Sequence, residues 1–128
     1  MKLILDTCTF IWLCADPDRL GIQARESLAE QRAELILSDV SVLEISLKWL
    51  TGKLTLPAPP RSWIEEQSRI WGAVRLPLGR SVIYRSTELP DLHRDPFDRL
   101  LIASALEEGA TLVTPDEWVR RYPVPCIW

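Results

Sequence analysis

The stretch Pro96–Thr114, PFDRLLIASALEEGATLVT, decides the fold. Proline opens its first part and Gly109 closes it, the asymmetry expected of a helix running from Pro96 to Glu108. Leu101, Ile102 and Ala105 give that helix an apolar stripe, with Asp98 at its head on the same face. After the glycine the period changes, and Thr111–Thr114 reads as a short strand. The same alternation extends outward in both directions. Upstream, Lys2–Asp6 reads as a strand and Thr7–Ala15 as a helix broken by Asp16-Pro17. Gly21 precedes a helix over Ile22–Arg32, and Glu34–Leu37 is a second strand. Val40–Leu50 carries apolar residues at 40, 43, 47 and 50, a helical period that Gly52 ends. Three prolines make Leu56–Pro60 a loop. Ser62–Trp71 is an amphipathic helix, Ala73–Leu76 a strand and Arg80–Glu88 a helix. Downstream, Pro115–Arg121 reads as a short helix and Val124–Ile127 as a last strand.

Short strands alternating with helices predict an α/β domain with a mainly parallel sheet of about five strands, covered on both faces. The 128 residues suit one domain over 1–128. A composition of 47% hydrophobic and 26% charged residues is that of an ordinary globular protein. The net charge of −3 excludes a globally basic nucleic-acid coat but leaves room for a local basic patch. The longest apolar run, Phe10–Ala15, is far short of a membrane span. Asp6 interrupts the N-terminus too early for a secretory signal. Three scattered cysteines, Cys8, Cys14 and Cys126, fit a reducing cytoplasm, the expected location, better than a disulfide framework.

Elimination narrows the chemistry. There is no C-x-x-C pair and His93 is the only histidine, so a Cys/His zinc site has too few ligands. No glycine-rich phosphate loop and no G-x-S-x-G turn occurs. Carboxylates are the remaining resource. Asp6 ends the first strand, and Glu44 lies in the first turns of the helix after the second. Asp98 is in the first turn of the Pro96 helix, and Asp116 follows the Thr111–Thr114 strand. In a parallel sheet such positions share the edge at which ligands bind. Four acids brought together repel, and their pKa values rise unless a cation neutralises them. Oxygen donors of this kind suit Mg²⁺ or Mn²⁺, one ion or two, which can polarise a phosphodiester and activate water.

A capping reading stands beside the metal reading. Ser41-x-x-Glu44 has the form of a capping box. Asp95-Pro96-x-Asp98 has the form of an N-cap, a proline at N1 and an acid at N3, and Thr114-Pro115-Asp116-Glu117 repeats it. Asp6, ending an apolar strand, has no such obvious structural role. Thr7 either places a hydroxyl near a metal or caps the first helix. Lys48 either meets substrate phosphate or pairs with Glu44 at i,i+4. Arg94 and Arg99, beside Asp98, are further candidates for phosphate, since 12 of the 15 basic residues are arginine. His93 either stacks on a base or caps a loop, with the loop favoured, and Trp12, Trp49, Trp63 and Trp71 read as core or interface rather than base-stacking platforms.

Taken together, LILDTCTFIWL at 3–13, SDVSVLEISLKWLTGKL at 38–54, LPDLHRDPFDRLLIASALEEGATLVTPD at 89–116 and YPVPCIW at 122–128 resemble the PIN-domain ribonucleases. The likeness is to the VapC-like toxins of bacterial type II toxin–antitoxin systems. It spans nearly the whole chain, with HRDPFDRLLIA its most specific part. The resemblance implies a Mg²⁺- or Mn²⁺-dependent endoribonuclease. Asp6, Glu44, Asp98 and Asp116 then take the four acidic positions, as catalytic and metal-binding residues. It also implies a homodimer, an RNA substrate, inhibition by a small VapB-like antitoxin and no membrane. The alternatives are a non-catalytic RNA- or protein-binding module on the same fold and another metal-dependent phosphate hydrolase. A haloacid-dehalogenase-like phosphatase wants a second Asp two residues after the first, where Cys8 stands.

Overall fold

Side chains of a strand alternate between its two faces, so a strand that is apolar at every position must be covered on both. Residues 3–5 of the first strand have no exposure to solvent at all, and that requirement organises the molecule. The computed structural model describes residues 1–128. Strands β1 (Lys2–Leu5), β2 (Glu34–Ser38), β3 (Val74–Leu76), β4 (Thr111–Val113) and β5 (Cys126–Ile127) form one sheet in the order β3-β2-β1-β4-β5. Every neighbouring pair is parallel. Helices α1 (Thr7–Ala15), α2 (Ile22–Leu28), α3 (Asp39–Leu50), α4 (Pro60–Trp71), α5 (Arg80–Glu88) and α6 (Pro96–Glu108) connect and cover the strands. No helix is long and apolar enough to cross a membrane.

The register sorts the core into two layers. Leu3 and Leu5 pair with Leu35 and Val113 and face Phe10, Leu13, Ile45, Trp63 and Ile64. Ile4, opposite Ile36 and Leu112, points to the other face and meets Leu101, Ile102 and Ala105 of α6. Each fully buried Leu or Ile is worth roughly 1.5–3 kcal/mol, so the centre of β1 fixes both layers.

The path of the chain sets where a ligand belongs. It runs outward from β1 through β2 to β3, then returns to the opposite side of β1 as β4 and β5. The order therefore reverses between β1 and β4, and a crevice opens beyond their carboxyl ends.

Several boundaries differ from those read in the sequence. Helix α2 stops at Leu28 rather than Arg32, because residues 29–32 turn to bring Glu34 beside Met1, whose carbonyl accepts the Glu34 N–H at 2.8 Å. Helix α4 begins at Pro60, not Ser62, since proline's fixed φ suits the first turn. The helix expected over Pro115–Arg121 is a single 3₁₀ turn at Val119–Arg121. Pro123 halts it two residues later. Strand β5 is reduced to Cys126–Ile127, with Pro125 contributing only its carbonyl, to Leu112 N–H at 2.8 Å.

Gly109 and Gly21 are needed for different reasons. Gly109 ends α6 in the left-handed region at φ 61°. Gly21 is needed for space: a methyl group there would overlap the main-chain carbonyl of Trp128. Trp128 in turn packs on Trp12, ring centroids 5.7 Å apart, with the Arg19 guanidinium 4.3 Å from the Trp12 ring. We expect Gly21→Ala to lower stability by about 1–3 kcal/mol through overpacking, measured as a lower urea midpoint at unchanged slope. An unchanged midpoint would show that Trp128 moves aside freely.

Candidate active site

The four acids singled out in the sequence come from four different elements and line one cleft of about 380 Å³ at the carboxyl end of the sheet. Asp6 follows β1 directly. Its side chain caps α1: Oδ1 accepts the Thr9 N–H at 2.8 Å and the Cys8 thiol at 3.2 Å. The cap is thus Asp6 and not Thr7. The Thr7 hydroxyl instead donates to Glu44 Oε1 at 2.6 Å. Burial drives the Asp6 pKa above the ordinary carboxylate range, while hydrogen bonds from Thr114, Thr9 and Cys8 oppose the rise.

Glu44 is not the acid of a capping box. Ser38, rather than Ser41, caps α3, its Oγ accepting the Val40 N–H at 3.0 Å. The helix starts early enough that Glu44 lies in its second turn, pointing into the cleft. Both of its oxygens are held: Oε1 by Thr7 and Oε2 by Lys48 Nζ at 2.7 Å. The i,i+4 pairing of Lys48 is therefore the one that forms, and it raises the Lys48 pKa.

At α6 the sequence reading of the cap holds. Asp95 Oδ1 accepts the Phe97 N–H at 2.9 Å with Pro96 at the first position. That leaves the Asp98 carboxylate free to face the cleft. Asp116, beyond β4, bonds in two directions. Its Oδ1 accepts the N–H of Trp118 at 2.8 Å and, more loosely, of Val119 at 3.4 Å. Its Oδ2 faces His93.

His93 is the residue that sequence reasoning misplaced. Rather than only closing a loop, its Nε2 sits 2.9 Å from Asp98 Oδ2 and 3.1 Å from Asp116 Oδ2. Nδ1 accepts the Asp95 N–H at 3.1 Å, so the ring hydrogen is on Nε2 and is shared by the two carboxylates. The spacing H-x-D-x-x-D was the available signal: a histidine two residues before an N-cap can fold back over the first helical turn. Thr114, read in the sequence only as a cap, is fully buried. Its hydroxyl accepts the Asp116 N–H at 3.1 Å, and it stands close enough to Asp6 to oppose the rise of that carboxyl's pKa.

Arg99 is a scaffold residue, not a free phosphate ligand. Its guanidinium donates to the carbonyls of Ser86, Leu89, Pro90 and His93 at 2.8–3.2 Å and to the Tyr122 hydroxyl at 3.2 Å. That hydroxyl also accepts the N–H of Leu92 and His93 and donates to the Pro90 carbonyl. The loop that carries His93 is thereby clamped from both sides.

The lining holds five carboxylates, those of Asp6, Glu44, Asp95, Asp98 and Asp116, against one ammonium, that of Lys48. The imbalance appears in Asp98, whose pKa is pushed up to about 7. Burial contributes most, then the charge of Asp95; His93 opposes, and Asp116 and Asp6 add to the rise. Ligand atoms of His93, Asp98 and Asp116 lie within 4.8 Å of one another. Hard oxygen donors with excess negative charge, next to a single imidazole, fit a divalent cation such as Mg²⁺ or Mn²⁺.

A cleft of carboxylates at the switch point places the chain among parallel α/β domains with an acidic ligand cleft at the carboxyl edge of the sheet. The PIN domain profile matches residues 3–125. Ribonuclease VapC22 of Mycobacterium tuberculosis is 32% identical over 132 aligned positions, which cover 98% of either chain. The chain therefore belongs to the PIN domain family. Its fold is shared by VapBC2 from Rickettsia felis bound to a DNA fragment from its promoter: TM-score 0.74, 17% identity, 100% of this chain and 99% of that one. DNA-bound VapBC from Salmonella typhimurium matches at a TM-score of 0.69 and 20% identity, covering 99% and 97%.

The Asp98 shift links stability to pH. The folded carboxyl titrates near 7 against an ordinary value of 3.8, so between those values the folded state binds more protons than the unfolded one. This contribution to stability is full below about pH 4 and lost as pH rises through 7. In chelator, Asp98→Asn should be more stable than the parent at pH 8 by about 1–2 kcal/mol, allowing for solvent screening at the cleft mouth. The difference should shrink towards pH 4. Denaturant titrations at both pH values check this, and a gap that widens on acidification would contradict it.

Proposed function

We propose that this chain is a metal-dependent endoribonuclease, the toxin of a type II toxin–antitoxin pair, hydrolysing RNA phosphodiester bonds at the acidic cleft. The observation that carries the reading is the convergence of Asp6, Glu44, Asp98 and Asp116 from four elements onto one cleft, in a chain 32% identical along nearly its full length to a ribonuclease. In this reading those four residues hold Mg²⁺ or Mn²⁺. When bound, such an ion neutralises phosphate charge and lowers the pKa of water.

The protein's own groups do the positioning. His93, donating from Nε2, keeps Asp98 and Asp116 turned towards each other. The amide of Thr9 holds Asp6 in place. Thr7 and Lys48 hold Glu44, and Lys48, half exposed, has further N–H donors for a non-bridging phosphate oxygen at the rim. No Ser, Cys or His nucleophile is required.

The same charge focus suits a small antitoxin encoded beside the toxin, with an Arg fork bonding two of the carboxylates. Helix α3 offers an apolar anchor, since Leu43, Leu47, Trp49 and Leu50 are all exposed. Trp12, also expected there, is already engaged by Trp128 and Arg19. A homodimer is part of this proposal, and such exposed apolar side chains suit an interface between copies equally well.

Incubation with RNA and Mg²⁺ or Mn²⁺ should give cleavage that chelator abolishes, with no turnover of a phosphomonoester. Asp98→Asn and Asp6→Asn should lower the rate by at least about a hundredfold, the scale of losing a charge-stabilising group, while remaining folded. Full activity of either variant at saturating metal would refute the assignment. Co-expression with the small open reading frame beside the gene should yield a complex with suppressed RNase activity. A complex of undiminished activity would count against this mode of inhibition.

A further inference from the structure

A second cleft, of about 500 Å³, adjoins the acidic one and is lined by Asp91, Leu92, His93, Arg94 and Trp118. His93 is the wall between the two: it lines this cleft, while its Nε2 reaches Asp98 and Asp116 in the other. Trp118 is 52% exposed, the most exposed of the six tryptophans. The Arg121 guanidinium stacks over the Trp118 ring, 4.3 Å from its centroid. Arg94, exposed, brings a second guanidinium to the cleft.

The cleft is built rather than loose. The Trp118 N–H is held by Asp116 Oδ1 at 2.8 Å, so the indole rides on the same turn as a carboxylate of the site. Opposite, Leu92 and His93 are fixed through their main-chain N–H groups by the Tyr122 hydroxyl at 3.1 and 2.9 Å. An aromatic plane backed by arginine, with a second arginine alongside, is the surface on which unpaired bases stack while their phosphates meet positive charge. Asp91 adds an acceptor for the exocyclic amine of a base.

We propose that this cleft binds one unpaired base of the RNA, that of a nucleotide next to the phosphodiester cut in the acidic cleft. The proposal rests on the ribonuclease reading above and names a recognition subsite for it. The base stacks on Trp118, and Arg94 and Arg121 offset the repulsion that a phosphate chain meets on approaching five carboxylates. A duplex cannot deliver a splayed base to this position, so the subsite selects loops and single strands.

The test uses the full chain and short single-stranded RNA, with cleavage kinetics for the otherwise unaltered protein and anisotropy of labelled RNA in an Asp98→Asn background. Trp118→Ala should raise KM and weaken binding by about tenfold, the scale of losing one stacked base, with kcat changed much less. Trp118→Phe should restore most of the affinity. Arg94→Gln should weaken binding and flatten its salt dependence by about one phosphate contact. An abasic nucleotide beside the cut should weaken binding to the parent by the same factor, yet cost Trp118→Ala nothing further. Additive losses would overturn the proposal, as would RNA binding that is equal with and without Trp118, whether or not the chain cleaves RNA. If Trp118→Ala leaves RNA binding intact and impairs only retention of the antitoxin, the face is a protein contact and the subsite is overturned. If the parent binds RNA through Trp118 but cuts nothing in any metal, the subsite stands and the ribonuclease reading fails.

Discussion

The structure turns on a hydrogen bond shared between like charges. Asp98 and Asp116 approach so closely that His93 Nε2 reaches both, at 2.9 and 3.1 Å. Two carboxylates in that arrangement repel unless something positive or hydrogen-donating lies between them. With Nδ1 occupied by the Asp95 N–H, the imidazole must present its hydrogen to the pair. Much of the surrounding architecture can be understood as holding this ring in place. Arg99 lies one residue after Asp98, yet its guanidinium turns away to four main-chain carbonyls and the Tyr122 hydroxyl. Directed at Asp98 it would neutralise the site, whereas in its actual position it fixes the loop and leaves the negative charge of the cleft largely uncompensated.

The sheet imposes the matching constraint from the other side. Because the strand order reverses between β1 and β4, Asp6 and Asp116 leave adjacent strands into one crevice. Thr114 accepts the amide of Asp116 and lies beside the Asp6 carboxyl. Thr9, one turn into α1, donates to the Val113 carbonyl at 2.9 Å and so ties the helix capped by Asp6 to the strand that leads to Asp116. Both threonines are fully buried in a largely apolar interior, where an unpaired hydroxyl would be costly. They hold the acidic residues at a fixed spacing.

The strands and the two ends of α6 were legible in the sequence because each has a local cause. Pro96 and Gly109 bound the helix, and the apolar residues of 3–5 must be covered on both faces. The acidic positions were legible because topology alone sends strand ends to one edge. Other features were not legible because they depend on contacts distant in sequence. The end of α2 is set by pairing of β2 with β1. The shortness of the turn after Asp116 has a local cause instead, a side chain that takes the N–H groups of Trp118 and Val119. The roles of His93 and Arg99 depend on Asp116 and Tyr122, each 23 residues away. Spacing gives no direct sign of a partner at that distance. Lys48, whose partner lies four residues away on the same helix, had that pairing among its two readings.

The sequence set capping against metal binding as rival accounts of these acids, but the geometry lets one carboxylate both cap and face the cleft. A helix that begins at the carboxyl edge of a parallel sheet points its free N–H groups and the positive end of its dipole into the crevice. A carboxylate drawn there has two oxygens, and one suffices for the cap. Asp116 makes the division explicit: Oδ1 caps the turn and Oδ2 faces His93. Asp6 caps α1 through Oδ1 while lining the cleft. At α6 the two tasks are split between residues, with Asp95 as the cap and Asp98 released towards the cleft. Capping is thus the means by which the acids are oriented. It also partly offsets the desolvation that burial imposes on Asp6, so a negatively charged side chain is tolerated where the fold has excluded water. Glu44 completes the pattern by contrast. Lying a turn past its helix start, it has no amide to bind, and Thr7 and Lys48 take over the task that the backbone performs for Asp6 and Asp116.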